Sequence, residues 1–393
     1  MEDVFVVSAV RTAIGTFGGA LKNFTPADLG ARTAQEAMTR AGVAPSDIGH
    51  VVYGQVAQTG PEDAYLSRVI SVNAKVPVEV PALTVNRLCG SGIQALISAA
   101  QGMMLDEYDM ALVGGAECMS RVPFHAPAMR WGSKLGDAVL VDALVGILND
   151  PFHRYHMGVT AENIAERYQI TRADQDGLAQ TSHARASHAI KDGRFKDQIL
   201  AIESKVRGKT VVFDTDEHVR HDFSLEEAAG LRPVFKKEGG TVTPANASGI
   251  NDGAASLVIA TGKAVASKGL KPLARVVGWA HAGVDPAYMG IGPVPATRKL
   301  LEKSGLKLSD IDIIEANEAF AAQACAVTKE LGLDPEKVNP NGSGISLGHP
   351  VGATGAIIST KAIYELHRTG GRYALATMCI GGGQGIAIIY ERV

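Results

Sequence analysis

Two patterns of apolar residues alternate along the chain. Val4 to Val10 is a run of β-branched and small apolar residues and predicts a strand. Pro26 to Ala41 repeats its apolar positions every three or four residues and predicts a helix, ended near Gly42. His50 to Gly54 and Met110 to Gly115 read as further strands. Between those two strands, Ile93 to Ala100 reads as a helix with small residues on most faces. The strands are apolar almost throughout instead of alternating with polar residues. That predicts a mostly parallel sheet covered by helices on both faces.

The same order returns later in a fixed register. Gly42-Val43-Ala44-Pro45-Ser46-Asp47-Ile48 matches Gly305-Leu306-Lys307-Leu308-Ser309-Asp310-Ile311 at an offset of 263 residues. Gly92 matches Gly355, Ser91 stands opposite Thr354, and Ala111-Leu112 matches Ala374-Leu375, all at that offset. Three segments sharing one offset predict two copies of an α/β unit of ordinary domain size. The helix after Cys89 and the helix after Gly352 become candidates for a layer shared by two sheets. Residues 1–119 with 246–269 form the expected first half and 270–393 the second. Residues 120–245 are expected to be an inserted loop domain, richer in charge, His and Met, with Thr171 capping a helix. Long insertions on an α/β core usually carry binding.

Composition narrows the function. The chain has 393 residues, is 46% hydrophobic and 20% charged, and carries net charge −3. No basic excess suits nucleic acid or a membrane surface, so a polyanionic ligand needs a local cluster of cations. Only 5% of residues are aromatic while Gly numbers 44, which favours packed α/β layers with many turns over a β-sandwich. No stretch of about 20 apolar residues could span a bilayer. The first strand begins at Val4 with no apolar leader ahead of it. Cys89, Cys118, Cys325 and Cys379 form no CxxC pair, so no zinc or other metal site is expected. A reducing cytoplasm with free thiols is the expected setting.

Four blocks carry candidate chemistry. In Asn86-Arg87-Leu88-Cys89-Gly90-Ser91-Gly92 a thiol sits at a strand-to-helix elbow. It reads either as a buried structural cysteine or as a nucleophile whose thiolate the helix N-terminus would favour. Gly348-His349-Pro350 opens the matching helix, and its histidine reads either as a cap or as a base. The repeat brings the two helix-opening loops together, and a His within reach of a Cys makes an activated nucleophile. Cys379-Ile380-Gly381-Gly382-Gly383-Gln384-Gly385 ends a strand in a glycine loop whose N–H groups suit a developing oxyanion. In Asn317-Glu318-Ala319-Phe320, Asn317 reads as a helix cap or as the holder of a water or carbonyl.

These four blocks together, in this order and spacing, resemble the thiolase family, and the resemblance covers the whole chain. It is strongest to the biosynthetic acetyl-CoA acetyltransferases and the bacterial β-ketothiolases that serve polyhydroxyalkanoate synthesis. The resemblance implies the thiolase fold, an α/β fold of five layers, αβαβα, duplicated and carrying an inserted loop domain. It implies reversible Claisen condensation of acetyl-CoA with acetyl-CoA or a short acyl-CoA, giving a 3-ketoacyl-CoA and free CoA by a ping-pong path. Cys89 would take the acyl group, His349 would remove its proton, and Cys379 would move a proton at the substrate α-carbon. The N–H groups of Cys89 and Gly381 would form one oxyanion hole, and His349 with a water on Asn317 the other. His156, Met157, Met289 and Phe320 would surround the acyl end, Ser248 would touch the pantetheine arm, and Arg220 would lie near the adenine. CoA thioesters are substrates, no tightly bound cofactor is implied, and a homotetramer built as a dimer of dimers is expected.

Some features stay outside the resemblance. Arg207, Lys209, His221 and Arg232 are further insert cations that could meet the CoA phosphates. Ser343-Gly344-Ile345-Ser346 departs from the Gly-Ala-Ile-Ala form common in the family and could shift chain-length preference. The rival readings are a degradative 3-ketoacyl-CoA thiolase, a decarboxylating ketoacyl synthase and a non-catalytic acyl-CoA binder. The synthase needs no second cysteine, and a binder could discard Cys89 or His349.

Overall fold

The computed structural model describes residues 2–206 and 208–393, so Arg207 lies outside the described residues. In chain order the first half contains β1 (Val4–Thr12), α1 (Pro26–Ala41), β2 (His50–Gly54), α2 (Leu66–Asn73), β3 (Ala82–Val85), α3 (Ser91–Met104) and β4 (Met110–Cys118). The insert holds α4 (Met157–Tyr168) and α5 (Arg172–Lys191) among shorter pieces. Then follow β5 (Asn251–Thr261), β6 (Ala274–Gly283), α6 (Pro293–Ser304), β7 (Ile313–Ala316), α7 (Ala321–Leu331), α8 (Val351–Thr369), β8 (Tyr373–Ile380) and β9 (Gln384–Arg392).

Local chemistry sets several of these limits. Thr25 and Asp28 form a capping box at the start of α1 behind Pro26, and Gly42 closes the helix in the left-handed region at φ +67°. Thr171 and Asp174 form a second capping box on α5.

The strands run in the order β7-β8-β9-β6-β1-β5-β4-β2-β3. This is two sheets of like topology joined at β1 and β6, where only Phe5–Arg275 and Val6–Ala274 pair. The sheets are mixed, and the expectation of a mostly parallel sheet is corrected. β2 runs parallel to β3 and β4, and β7 parallel to β8. β5 and β9, however, lie antiparallel to both their neighbours. The cause in the second half is the glycine loop after Ile380, a tight hairpin that returns the chain beside β8. Strands buried on both faces show no alternation, so direction could not be read from their pattern.

The two copies meet through helices. α8 packs on β4 and β5 of the first sheet and on β7 and β8 of the second, and α3 lies beside it. At the crossing, a β-carbon on Gly92 would stand 2.4 Å from the backbone N of Ala356. One on Gly355 would stand 2.4 Å from the backbone N of Ile93. The matched glycines are therefore the contact across the pseudo-two-fold axis, and both helix starts face one space. α1 covers the outer face of the first sheet and α6 that of the second, completing five layers.

This contact gives a stability prediction. Gly355→Ala lowers the free energy of chemical denaturation by about 2 kcal/mol, the usual cost of overpacking. Gly177→Ala, on α5 with nothing near its added carbon, raises it by up to ~1 kcal/mol. Equal denaturation midpoints for Gly355→Ala and the parent would refute the close contact.

Candidate active site

Backbone strain and two side chains shape the elbow before α3. Leu88 takes φ +46°, a left-handed conformation costing about 1 kcal/mol for a residue with a β-carbon. Asn86 Oδ1 accepts the Leu88 N–H at 2.9 Å. Ser91 Oγ accepts the Arg87 N–H at 2.8 Å and donates to Leu88 O at 2.6 Å. Cys89 is thereby held just ahead of Gly90 and the first turn of α3, partly exposed to a cavity of about 270 Å³.

Thr354, the partner of Ser91 in the repeat, does related work at the second elbow. Its Oγ1 lies 2.9 Å from Pro350 O and 2.6 Å from His349 Nδ1. The carbonyl can only accept, so the hydroxyl donates to it and Nδ1–H donates to Oγ1. Nε2 is left as the basic nitrogen. Asn317 Nδ2 stands 3.4 Å from it. Asn251 Oδ1 accepts the backbone N–H of His349 at 2.9 Å, while Asn251 Nδ2 donates to Gly15 O at 3.0 Å. Gly348 has φ +112° and lies so close to Asn251 that a β-carbon would stand 2.6 Å from its amide, so only glycine fits.

Cys379 is the next-to-last residue of β8 and is buried, and the backbone N–H of the nearby Gly381 favours the charged form of the Cys89 sulfur. Cys89, His349, Cys379 and Gly381 all line the one cavity. His156, Met157, Ser248, Met289 and Phe320 line it as well. Asn317 stands behind His349. It does not cap α7, whose N-cap is Phe320, and its Oδ1 finds no donor among the described residues. His349 is not a cap either, because α8 begins after Pro350 without a side-chain cap.

Arg220 lies in a neighbouring hollow with Asp222, Phe223 and Ser224, and its Nη2 donates to Pro244 O, on the wall of the main cavity, at 3.3 Å. Lys209, His221 and Arg232 are exposed. Ser343 and Ser346 are not lining residues. The Ser346 hydroxyl instead lies 2.8 Å from that of Ser182 on α5, which donates to Glu318 at 2.6 Å. Ser346 thus belongs to a strut between insert and core, while the Ser343 hydroxyl lies 3.5 Å from Ala316 O and its backbone N–H 3.4 Å from Ser182 Oγ.

Burial governs the charges. It raises the Cys89 thiol to about 11, against the lowering effect of the Gly381 and Cys89 N–H groups. It also raises Cys379, helped by the nearby Cys89 sulfur. Burial lowers the His349 imidazole to about 4. The empty pocket therefore holds two neutral thiols and a neutral imidazole. The His349 Nε2 is therefore unprotonated at neutral pH and free to accept a proton.

Sequence reasoning overlooked several contributors. Phe235 stacks on His156 with centroids 4.6 Å apart and meets Phe320 edge-on at 6.4 Å. Asn251 and Thr354 orient His349. The repeat had already paired Thr354 with Ser91, and that pairing was a usable signal. Nothing marked Phe235, because it reaches the site from a loop of the insert.

Among known proteins, the family model "Thiolase, N-terminal domain" matches residues 4–263, and "Thiolase, C-terminal domain" matches 270–392. The chain is 64% identical over 392 residues to beta-ketothiolase BktB of Cupriavidus necator, covering all of both chains. It is 48% identical to an acetyl-CoA acetyltransferase of Syntrophomonas wolfei, covering 99% of each. The solved acetyl-CoA acetyltransferase of Bacillus anthracis superposes with TM-score 0.97 at 48% identity, over 100% of this chain and 99% of that one. Human mitochondrial 3-ketoacyl-CoA thiolase in complex with CoA gives TM-score 0.97 at 44% identity, over 100% and 98%.

The neutral imidazole sets a pH dependence. Its basic form is present above a pH of about 4 and is lost as pH falls through that value. Iodoacetamide alkylation of Cys89 should run ~100-fold faster in the parent than in His349→Ala. That ratio should hold from pH 8 down to 5.5. A ratio collapsing near 6.5 would show a solvated, ordinary histidine.

Proposed function

The chain belongs to the thiolase family, and from this premise we propose how its pocket joins two thioesters. The protein is an acyltransferase that condenses acetyl-CoA with acetyl-CoA or a short acyl-CoA, reversibly. One observation carries the proposed path: Cys89, His349 and Cys379, distant along the chain, line a single cavity.

In the first half-reaction, Cys89 Sγ attacks the thioester carbonyl while His349 Nε2 takes its proton. The CoA thiolate leaves and receives the proton of Cys379. The enzyme then holds an acyl-Cys89, an imidazolium and a Cys379 thiolate, the last two as a buried ion pair. In the second half, that thiolate removes a proton from the methyl group of acetyl-CoA. The enolate oxygen forms against His349 Nε2–H and a water on Asn317. The carbanion attacks the acyl-Cys89 carbonyl, whose oxygen is received by the N–H groups of Cys89 and Gly381. The adduct collapses, and Cys89 leaves as thiolate and recovers its proton from His349. Every proton is returned, and each oxyanion donor contributes about 3 kcal/mol.

The place of Gly381 beside Cys89 in the cavity lining, where its N–H favours a negative charge on the sulfur, supports the first oxyanion hole. The Nδ1–H tautomer fixed by Thr354 supports Nε2 as the base. The apolar wall of Met157, Met289 and Phe320 suits a short acyl end. Ser248 in the same lining suits the pantetheine arm, and Arg220 beyond Pro244 suits the adenine end of CoA. A free-thiol mechanism fits a reducing cytoplasm, and no helix among the described residues is long and apolar enough to cross a membrane.

We further propose a homotetramer, a dimer of dimers. Its support is exposed apolar surface in two places. An open edge strand, β3, carries the exposed Leu83, and Tyr65, just ahead of α2, is exposed as well. The loop between the paired segments Phe124–His125 and Val141–Asp142 bares Trp131 at 91% and Leu135 at 97% exposure.

Cys379→Ser should still form acetyl-Cys89, seen by intact mass, yet lose condensation by about 1,000-fold. A variant that condenses normally but fails to acylate would reverse the division of labour. Trp131→Ser with Leu135→Ser should elute as a two-chain species in light scattering where the parent elutes as four. Unchanged mass would assign the tetramer contact elsewhere.

A further inference from the structure

Glu117 is a fully buried carboxylate at the end of β4 that the mechanism above does not use. Its Oε1 accepts the Ala57 N–H at 3.1 Å. Its Oε2 accepts the Val56 N–H at 3.0 Å and the Gly352 N–H at 2.8 Å. No cation pairs with it among the described residues. Burial raises it to about 7 despite the three donors, with Asp63 adding to the rise. Asp63 is itself occupied, accepting the Gln55 amide at 2.9 Å and the Thr59 N–H at 2.6 Å.

The three donors belong to both halves of the molecule. Val56 lines the cavity, and its carbonyl accepts the Asn86 amide at 3.4 Å. Asn86 in turn holds the Leu88 N–H at the nucleophile elbow. Gly352 lies in the first turn of α8, three residues after His349 and beside Val351, another lining residue. The fit leaves no slack, since a β-carbon on Gly352 would stand 2.5 Å from Glu117 Oε2. One carboxylate thus grips the loop that steadies Cys89 and the turn that carries His349.

A buried carboxylate without a cation is costly, and an apolar residue would pack there without that cost. Three backbone N–H groups aimed at one point, however, need an acceptor. We propose that Glu117 is a positioning residue that fixes the Cys89 elbow and the His349 turn in one mutual geometry, so that proton transfer between them depends on it. This rests on the reading of His349 as the base for Cys89.

The test is a double-mutant cycle on the full chain. Glu117→Gln keeps the shape and presents an amide to donors that need an acceptor. Expected are a fall in kcat of ~10-fold or more with KM for the thioester within about twofold. Alkylation of Cys89 by iodoacetamide should slow by a similar factor. In a His349→Ala background the same change should add nothing, because Glu117 acts through the pair. Glu117→Asp, which keeps the charge and withdraws the oxygens, should fall between parent and Gln, and it carries the same comparison if Glu117→Gln does not fold. An unchanged kcat, or an equal slowing in the His349→Ala background, overturns the proposal alone. If His349→Ala by itself leaves alkylation unchanged, the base assignment fails and this proposal falls with it.

Discussion

Backbone touches backbone where α3 crosses α8. Gly92 and Gly355 leave no atom between their helices and the opposing main chain. The placing of Cys89 against His349 depends on that contact. Each helix begins at an elbow, one carrying Cys89 and the other His349, and both elbows open on the same cavity. Had either position carried a side chain, the helices would stand further apart. Cys89 and His349 would then belong to separate walls. Packing in the central layer and chemistry in the cavity are therefore one constraint.

The repeat also explains why the two elbows are built alike and end differently. Ser91 and Thr354 occupy matched positions, and each hydroxyl ties its own loop to the first turn that follows. Ser91 spends its acceptor capacity on the Arg87 N–H and so shapes a backbone bend. Thr354 offers the same capacity to His349 Nδ1 and so sets a tautomer. A duplicated frame supplied the geometry, and a change of neighbour converted a structural bond into an electrostatic one.

Much of this was legible along the chain because it depends on residue type at fixed spacing. The limits of α1 follow from Pro26 and Gly42, and the match of Gly92 with Gly355 follows from counting. The thiol, imidazole and glycine-loop blocks each stand in a contiguous motif. What escaped reading depends on contacts between distant segments. Phe235 joins His156 and Phe320 only after the insert folds over the core. Asn251 reaches His349 from β5. Strand direction escaped for another reason: uniformly apolar strands carry no mark of polarity. Ser343 and Ser346 invited a guess about the acyl pocket because they are near His349 in sequence. The Ser346 hydroxyl faces α5 instead, and that of Ser343 turns to Ala316 O at the end of β7.

Charge in the pocket is managed by exclusion of water more than by opposed ions. Burial keeps both thiols and the imidazole neutral at rest, so no charge has to be stripped of solvent before a thioester enters. In the proposed path the first proton transfers then create an imidazolium and a thiolate together, inside the low-dielectric space where each stabilises the other. A permanently ionised cysteine would gain less from the developing imidazolium and would be open to oxidation between turnovers. The same exclusion constrains whatever stands close by. Glu117 lies near enough to oppose a negative charge on Cys89, and its raised affinity for a proton reduces that opposition near neutral pH. A lysine or arginine in its place could not accept three N–H groups. A neutral amide could not accept all three either. A carboxyl group buried at the edge of ionisation meets both demands, as an acceptor for two loops and a weak opponent of the thiolate.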